Sequence, residues 1–181
     1  MEPSGPGFYK INFDASYHQS SGSGGWGCVV RNNMGNVLHV GLRKLQILSS
    51  PPHAEAEAAT RSIERAVLLG ITHVVLETDA TILGKALRTS AWDGSQYETL
   101  FRKMRDLLFF EFTSSVISVC TVCSRNCNQV AHSLAAHGAS LSDVLPLFMD
   151  QAHDFVTPFV SNLEKSFSGS ICFRLKKNNV S

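Results

Sequence analysis

Two aspartates and a glutamate carry the first chemical signal in the chain. Asp14 closes the segment "FYKINFDAS" (8 to 16) on the side opposite Ile11 and Phe13, and Asp79 closes "THVVLETD" behind Val74, Val75 and Leu76. Both segments have strand character, the first alternating and the second almost wholly apolar, so each aspartate is expected at the tip of a strand. The glutamate follows from helical periodicity. A helical period counted from Glu55 meets Ala59, Ser62, Ile63, Ala66 and Gly70, whereas one counted from Glu57 meets Arg61, Glu64 and Leu68. The first stripe is small and apolar and must lie against a sheet, so Glu55 is expected to point inward and Glu57 outward.

Carboxylates gathered in a poorly hydrated place repel one another, and a cation is the cheapest remedy. Hard oxygen ligands with open positions suit Mg2+ or Mn2+, and phosphate oxygens commonly complete such a shell. The chemistry implied is metal-assisted cleavage of a phosphodiester. The residues alone admit a plainer reading as well. Asp79 can cap a helix in "ATILGKAL", and Glu55 can complement the dipole of its own helix. Periodicity does not choose between the two.

The elements that must position these residues can be read in order. After the first strand come "GGWGCVVRN" and "NVLHVGLRKL", two strands flanking "NNMGN", where Asn32 and Gly35 suit a tight turn. Pro51 and Pro52 end the preceding segment, and a helix runs from about residue 53 to a stop at Gly70. The Asp79 strand follows, then helices from Ala80 to Ser90 and across "YETLFRKMRDLLFF", a strand at "SVISVCTV", and a helix in "NQVAHSLAAH". The order βββαβααβα predicts an α/β domain with a central mixed five-stranded sheet and helices on both faces. Residues 1–6 read as a short N-terminal arm and 7–140 as the domain. Residues 141–181 read as a C-terminal extension, partly helical and then disordered.

Composition bounds the rest. A chain of 181 residues, 44% hydrophobic, fits one ordinary domain with a real core. It has no apolar run near the roughly 18 residues of a membrane span, and "MEPSGPGFYK" lacks the layout of a secretory signal. The expectation is a monomer inside the cell, in nucleus or cytoplasm, away from membranes. A net charge of +1 gives no broad electrostatic case for nucleic acid, so a polyanion site must be local. Arg102, Lys103 and Arg105 read as a solvated helix face rather than a phosphate track. The five cysteines read as free thiols, because the spacing of Cys120, Cys123 and Cys127 has no second pair to complete a zinc site. Gly22, Gly24 and Gly27 match a dinucleotide-binding spacing but lead into a strand, where no helix N-terminus awaits a pyrophosphate.

Taken in order, "KINFDAS", "GSGGWGCVVRNNMGNV", "AEAEAATRSIERAVLLGI", "VVLETDA" and "RNCNQVAHSLA" give the chain, over about residues 7 to 140, a specific resemblance. It resembles the ribonuclease H-like domain of the plant reverse-transcriptase-associated type, found alone and at the ends of retroelement polyproteins. The resemblance implies an endoribonuclease that cuts the RNA strand of an RNA-DNA hybrid. Asp14, Glu55 and Asp79 would hold two metal ions, Mg2+ or Mn2+. It also implies that Ser16, Gly24 and Gly25 lie near the RNA strand and its 2'-hydroxyls, and it brings Arg125 and Asn128 to the substrate.

The chain departs from that pattern at two places. The usual Asp-Gly of the first motif is Asp14-Ala15, and the fourth acidic position, commonly Ala-Asp, is Ala131-His132. Taken alone, His132 reads as a partly exposed helix residue; the resemblance makes it an atypical fourth ligand or a proton carrier, with manganese favoured over magnesium. A second reading stands beside the enzyme, a domesticated domain that binds nucleic acid or protein without cutting. Because no strongly basic element is present, hybrid binding without a partner is expected to be weak and salt-sensitive, and a nanomolar dissociation constant at physiological salt would contradict this.

Overall fold

The computed structural model describes residues 7–89, 94–120, 128–142, 147–150 and 170–175. Three strands open the chain, β1 (Tyr9–His18), β2 (Ser23–Arg31) and β3 (Val37–Leu45), followed by helix α1 (Pro51–Leu68) and strand β4 (His73–Thr78). Then come α2 (Thr81–Arg88), α3 (Glu98–Phe110), β5 (Ser114–Cys120), α4 (Gln129–Ser140), β6 (Leu147–Asp150) and β7 (Ser170–Leu175). All the strands belong to one mixed sheet in the order β6-β3-β2-β1-β4-β5-β7. β1 to β3 form an antiparallel meander, while β4 pairs parallel with both β1 and β5.

The two faces of the sheet are covered unequally. Alternation in β1 sends Ile11 and Phe13 to one side, where the buried residues of α1, α2 and α3 join them in the main core, including Ile63, Leu87, Phe101 and Leu108. On the other side Val29, Val40 and Leu42 meet Val130 and Leu134 of α4 in a smaller cluster. Helices thus lie on both faces, as the element order predicts.

Local chemistry explains the ends of α1. Ser50 has an extended backbone and its hydroxyl accepts a hydrogen bond from His53 N–H, so Pro51 and Pro52 are the first turn of the helix rather than a barrier before it. A proline lacks only an N–H that the first turn would leave unused. At the other end Gly70 takes a positive φ of 71°, the left-handed conformation that suits glycine.

The structure also differs from the expected five strands. β6 pairs antiparallel with β3 and β7 with β5, so both open edges of the central sheet are covered by strands drawn from the residues after Ser140. In the stretch expected to be partly helical the described residues 147–150 form a strand, and the remainder of 143–169 lies outside the described residues. Unpaired edge backbone supplies the reason, because it accepts any extended segment that reaches it. Four residues are too few to display a period.

Glycines of β2 have a specific job. A Cβ on Gly25 would stand 2.2 Å from the Ala139 nitrogen and 2.4 Å from the Ala135 carbonyl oxygen, and one on Gly27 would stand 2.4 Å from the Leu134 Cβ. Helix α4 therefore sits almost on the strand backbone, at a distance only glycine permits. Gly25→Ala is expected to cost about 2 kcal/mol or more and to lower the melting temperature by roughly 5 °C, checked by thermal unfolding.

Candidate active site

Asp14 is not at the tip of β1. The strand continues along β2 to the pair His18↔Ser23, whereas its parallel pairing with β4 ends at Asn12↔Glu77. Two residues beyond that last pair lie Asp14 on one strand and Asp79 just past the end of the other. β1 and β4 part there, and Glu55, just past the first turn of α1, reaches the same place.

The three carboxyls feel one another. Burial comes first in pushing the Asp14 carboxyl above the ordinary range, with Asp79 adding to the rise and hydrogen bonds from His132 and Ala15 N–H opposing it. Glu55 is pushed up to about 9, chiefly by burial and then by the charges of Asp14 and Asp79. It also shares a hydrogen bond with Asp14, an interaction that favours its protonated form. One Glu55 oxygen, Oε2, is buried with no hydrogen-bond partner among the described residues. Asp79 is exposed, and with Glu55 it lines a cavity of about 340 Å3 between the first turns of α1 and α2.

His132 completes the group from the opposite face of the sheet. Its Nδ1 lies 2.7 Å from Asp14 Oδ2, with a ring that is 72% exposed. Asn128 sets this contact. Its side-chain amide donates to the Phe13 carbonyl at 2.8 Å, and its own carbonyl accepts the helical bond from His132 N–H at 2.9 Å. Asn128 is buried and its amide nitrogen anchors α4 to the residue preceding Asp14, while its Oδ1 has no partner among the described residues.

The other expected site residues fall less neatly. Ser16 is half-buried on the same face of β1 as Asp14. Gly24 would bring a Cβ within 1.8 Å of the Ser16 carbonyl oxygen, and Gly25 is covered by α4, so hairpin and helix account for both lacking side chains. Arg125 lies outside the described residues, as do Cys123 and Cys127. Arg102 pairs with Glu98, Lys103 with Glu64, and Arg105 donates to the carbonyls of Ala86 and Thr89, so this helix is tied to its own surroundings. Cys28 is a buried free thiol pushed up to about 12 by burial.

One network escaped the sequence reading. Arg31 donates to Asn12 and, at 3.1 Å, to Glu77, which Lys10 also approaches at 3.4 Å. This cluster ties β1, β2 and β4 together below the point where β1 and β4 separate. Its signal was the alternation of Lys10, Asn12, Asp14 and Ser16 on one face, polar throughout and yet covered.

Residues 12–138 match the reverse transcriptase-like family. The chain belongs to that family. Among solved structures it is similar to RNase H1 of the halophilic archaeon Halobacterium salinarum, 24% identical over 73% of this chain and 97% of that one, with a TM-score of 0.64. It is similar to LC11-RNase H1, isolated from compost, at 20% identity over 74% of this chain and 98% of that one (TM-score 0.63). It resembles that protein again in complex with an RNA/DNA hybrid, at 17% identity over 73% and 95% (TM-score 0.58). No curated protein matches the chain. These likenesses establish a ribonuclease H-like fold. No described helix is long and apolar enough to cross a membrane.

Whether the acidic group suits a divalent metal is a question of its donors. Among the described residues no three acidic, histidine or cysteine side chains converge as a ready-made cage. The donors themselves are hard oxygens, one of them a buried Glu55 oxygen without a partner among the described residues, and the proton that Glu55 holds to about 9 beside Asp14 marks the demand of this pair for positive charge. They fit a cation that would replace that proton. The sign of the pH effect follows. In the metal-free protein the unfolded chain releases the Glu55 proton near the ordinary glutamate range, while the folded chain holds it to about 9. Stability should therefore fall as pH rises between those values, Glu55→Gln should flatten the slope, and melting curves across that range check both.

Proposed function

We propose that this domain is a metal-dependent endoribonuclease that cleaves the RNA strand of RNA-DNA hybrids, with two Mg2+ or Mn2+ ions held by Asp14, Glu55 and Asp79. The carrying observation is the buried Asp14 and Glu55 pair, its unpartnered Oε2 and the neighbouring Asp79, at the point where β1 and β4 separate in a ribonuclease H-like fold. LC11-RNase H1, which shares the fold, was solved with an RNA/DNA hybrid, and this supports the same substrate class here. A monomer inside the cell, descended from a plant retroelement, fits the reading.

When bound, the two ions would form the attacking hydroxide and stabilise the leaving oxygen. The chain's own residues do the rest. Asp14 is held in one orientation by Ala15 N–H at 2.9 Å and by His132, so its oxygens are fixed at the end of a rigid strand. Glu55 reaches the same place from the turn after a capped helix start, and Asp79 stands exposed where a phosphate can approach. His132 can pass a proton between Asp14 and solvent, because one ring nitrogen meets the carboxylate and most of the ring faces water.

A second reading rests on the same histidine. Asp14 Oδ2 is already engaged by His132, and an imidazole in place of a carboxylate removes one negative charge, which favours a catalytically weak module that binds nucleic acid or a protein.

Hybrid cleavage with each metal separates the readings. Asp14→Asn should reduce the rate at least about a hundredfold, and activity that survives the substitution would place the reaction elsewhere. A chain inert with both metals yet able to bind hybrid supports the second reading. His132→Asp should raise activity with magnesium relative to manganese, and an unchanged ratio removes His132 from the metal site.

A further inference from the structure

The outward face of α1 carries a second concentration of unmet demand. Residues 53, 57, 61, 64 and 68 form one stripe of the helix, on the side roughly opposite Glu55, with Glu57 about 160° of rotation away from it. Beneath that stripe, against β2 and β3, lie two adjoining cavities of about 270 and about 100 Å3 that share Arg43 and Arg61 in their walls.

Three N–H donors around them lack an acceptor among the described residues: Nε of Arg43, Nε of Arg61 and the indole Nε1 of Trp26. Trp26 is 1% exposed and pairs directly with Arg43 across β2 and β3. Arg61 also contacts Glu57 at 2.9 Å through a different nitrogen. Arg65 donates through Nε to His39 at 2.9 Å and lays its guanidinium over the Phe148 ring. Of the acidic residues in the walls, Glu57 pairs with Arg61 and Glu64 with Lys103, against the cations Arg43, Lys44, Arg61 and Arg65. Positive charge is therefore in excess where the whole chain carries only +1.

Buried donors without acceptors are costly and uncommon, and three at one place call for a ligand made of acceptors. The donors come from two strands and a helix, so they approach the cavities from different elements. A carboxylate offers two oxygens in one plane, whereas a phosphate offers a tetrahedron of them and matches the arginine fork. The smaller cavity has the space of roughly three waters, at about 30 Å3 each, and the larger one opens beside it for whatever the phosphate is attached to.

We infer that Arg43, Arg61 and Trp26 form a phosphate-binding site between α1 and the β2–β3 pair, distinct from the carboxylate cluster. The phosphate is either free or part of a nucleic-acid backbone that runs past α1. The site shares no residue with Asp14, Glu55 or Asp79, so it stands or falls separately from the nuclease reading.

Trp26 supplies the probe. With Trp92→Phe it is the sole tryptophan, and inorganic phosphate is titrated against chloride at constant ionic strength while emission and melting temperature are followed. A saturable response is expected in both, weakened at least about tenfold by Arg43→Gln and by Arg61→Gln and left unchanged by Lys85→Gln on α2. Arg61 reaches the surface, so its variant keeps the test intact even where Arg43→Gln fails to fold. With Asp14→Asn added to prevent cleavage, displacement of phosphate by an RNA-DNA hybrid assigns the site to the backbone. Phosphate binding undisturbed by hybrid assigns it to the free ion. A response that does not saturate, or that persists in both arginine variants, overturns the inference.

Discussion

The parallel ladder between β1 and β4 stops at Asn12 and Glu77 while β1 continues along β2, and the acidic site depends on that difference in length. Had β4 run on beside β1, backbone hydrogen bonds would have closed the place where Glu55 enters, and Asp14 would face a strand. Instead the sheet opens at the carboxyl end of β4, beside an aspartate that stays rigid because its own strand is still paired on the other side. The Arg31, Asn12, Glu77 and Lys10 cluster sits just before the split and holds the three strands together there. Rigidity below the gap lets charges be concentrated within it, since mutually repelling groups on a loose scaffold would simply separate.

The same logic governs the other face. Gly25 and Gly27 let α4 approach the backbone of β2 so closely that its first turn is delivered to β1, where Asn128 bonds the Phe13 carbonyl. His132 stands one helical turn further on, and Asp14 one residue beyond Phe13. A histidine on an exposed helix surface is ordinarily free to rotate; here close packing and one buried amide set it against the carboxylate. The contact of His132 with Asp14 is thus a consequence of glycines placed a hundred residues earlier.

Much of this was legible in the sequence, for identifiable reasons. Asp14, Glu55 and Asp79 could be brought together because strand alternation and helical periodicity are strong over long amphipathic segments such as 53–70. The place of Asp14 within its strand was not legible, because the length of a strand is decided by its partner and the partner's register lies elsewhere in the chain. β6 and β7 were lost for the same reason. Four and six residues paired to an edge leave no pattern of their own. The glycines of "SGSGGWG" signalled close approach, and sequence alone could not name what approached; a helix some hundred residues away did.

The two faces of α1 show how a nearly neutral chain can hold opposite local charges. Alternate residues of its first turns point to opposite sides, so Glu55 joins an acidic group that a cation would relieve, while Glu57 and Arg61 belong to a wall with more guanidinium than carboxylate. Between them lies roughly the 10 Å width of a helix, comparable to the distance over which physiological salt screens exposed charges. Burial matters more than that distance. The buried atoms, Glu55 Oε2 on one side and the Nε atoms of Arg43 and Arg61 on the other, must each find their counter-charge on their own side of the helix. A polyanion would meet the acidic side only through a bound cation and the basic side directly, which gives one helix the means to orient a strand without a large net charge.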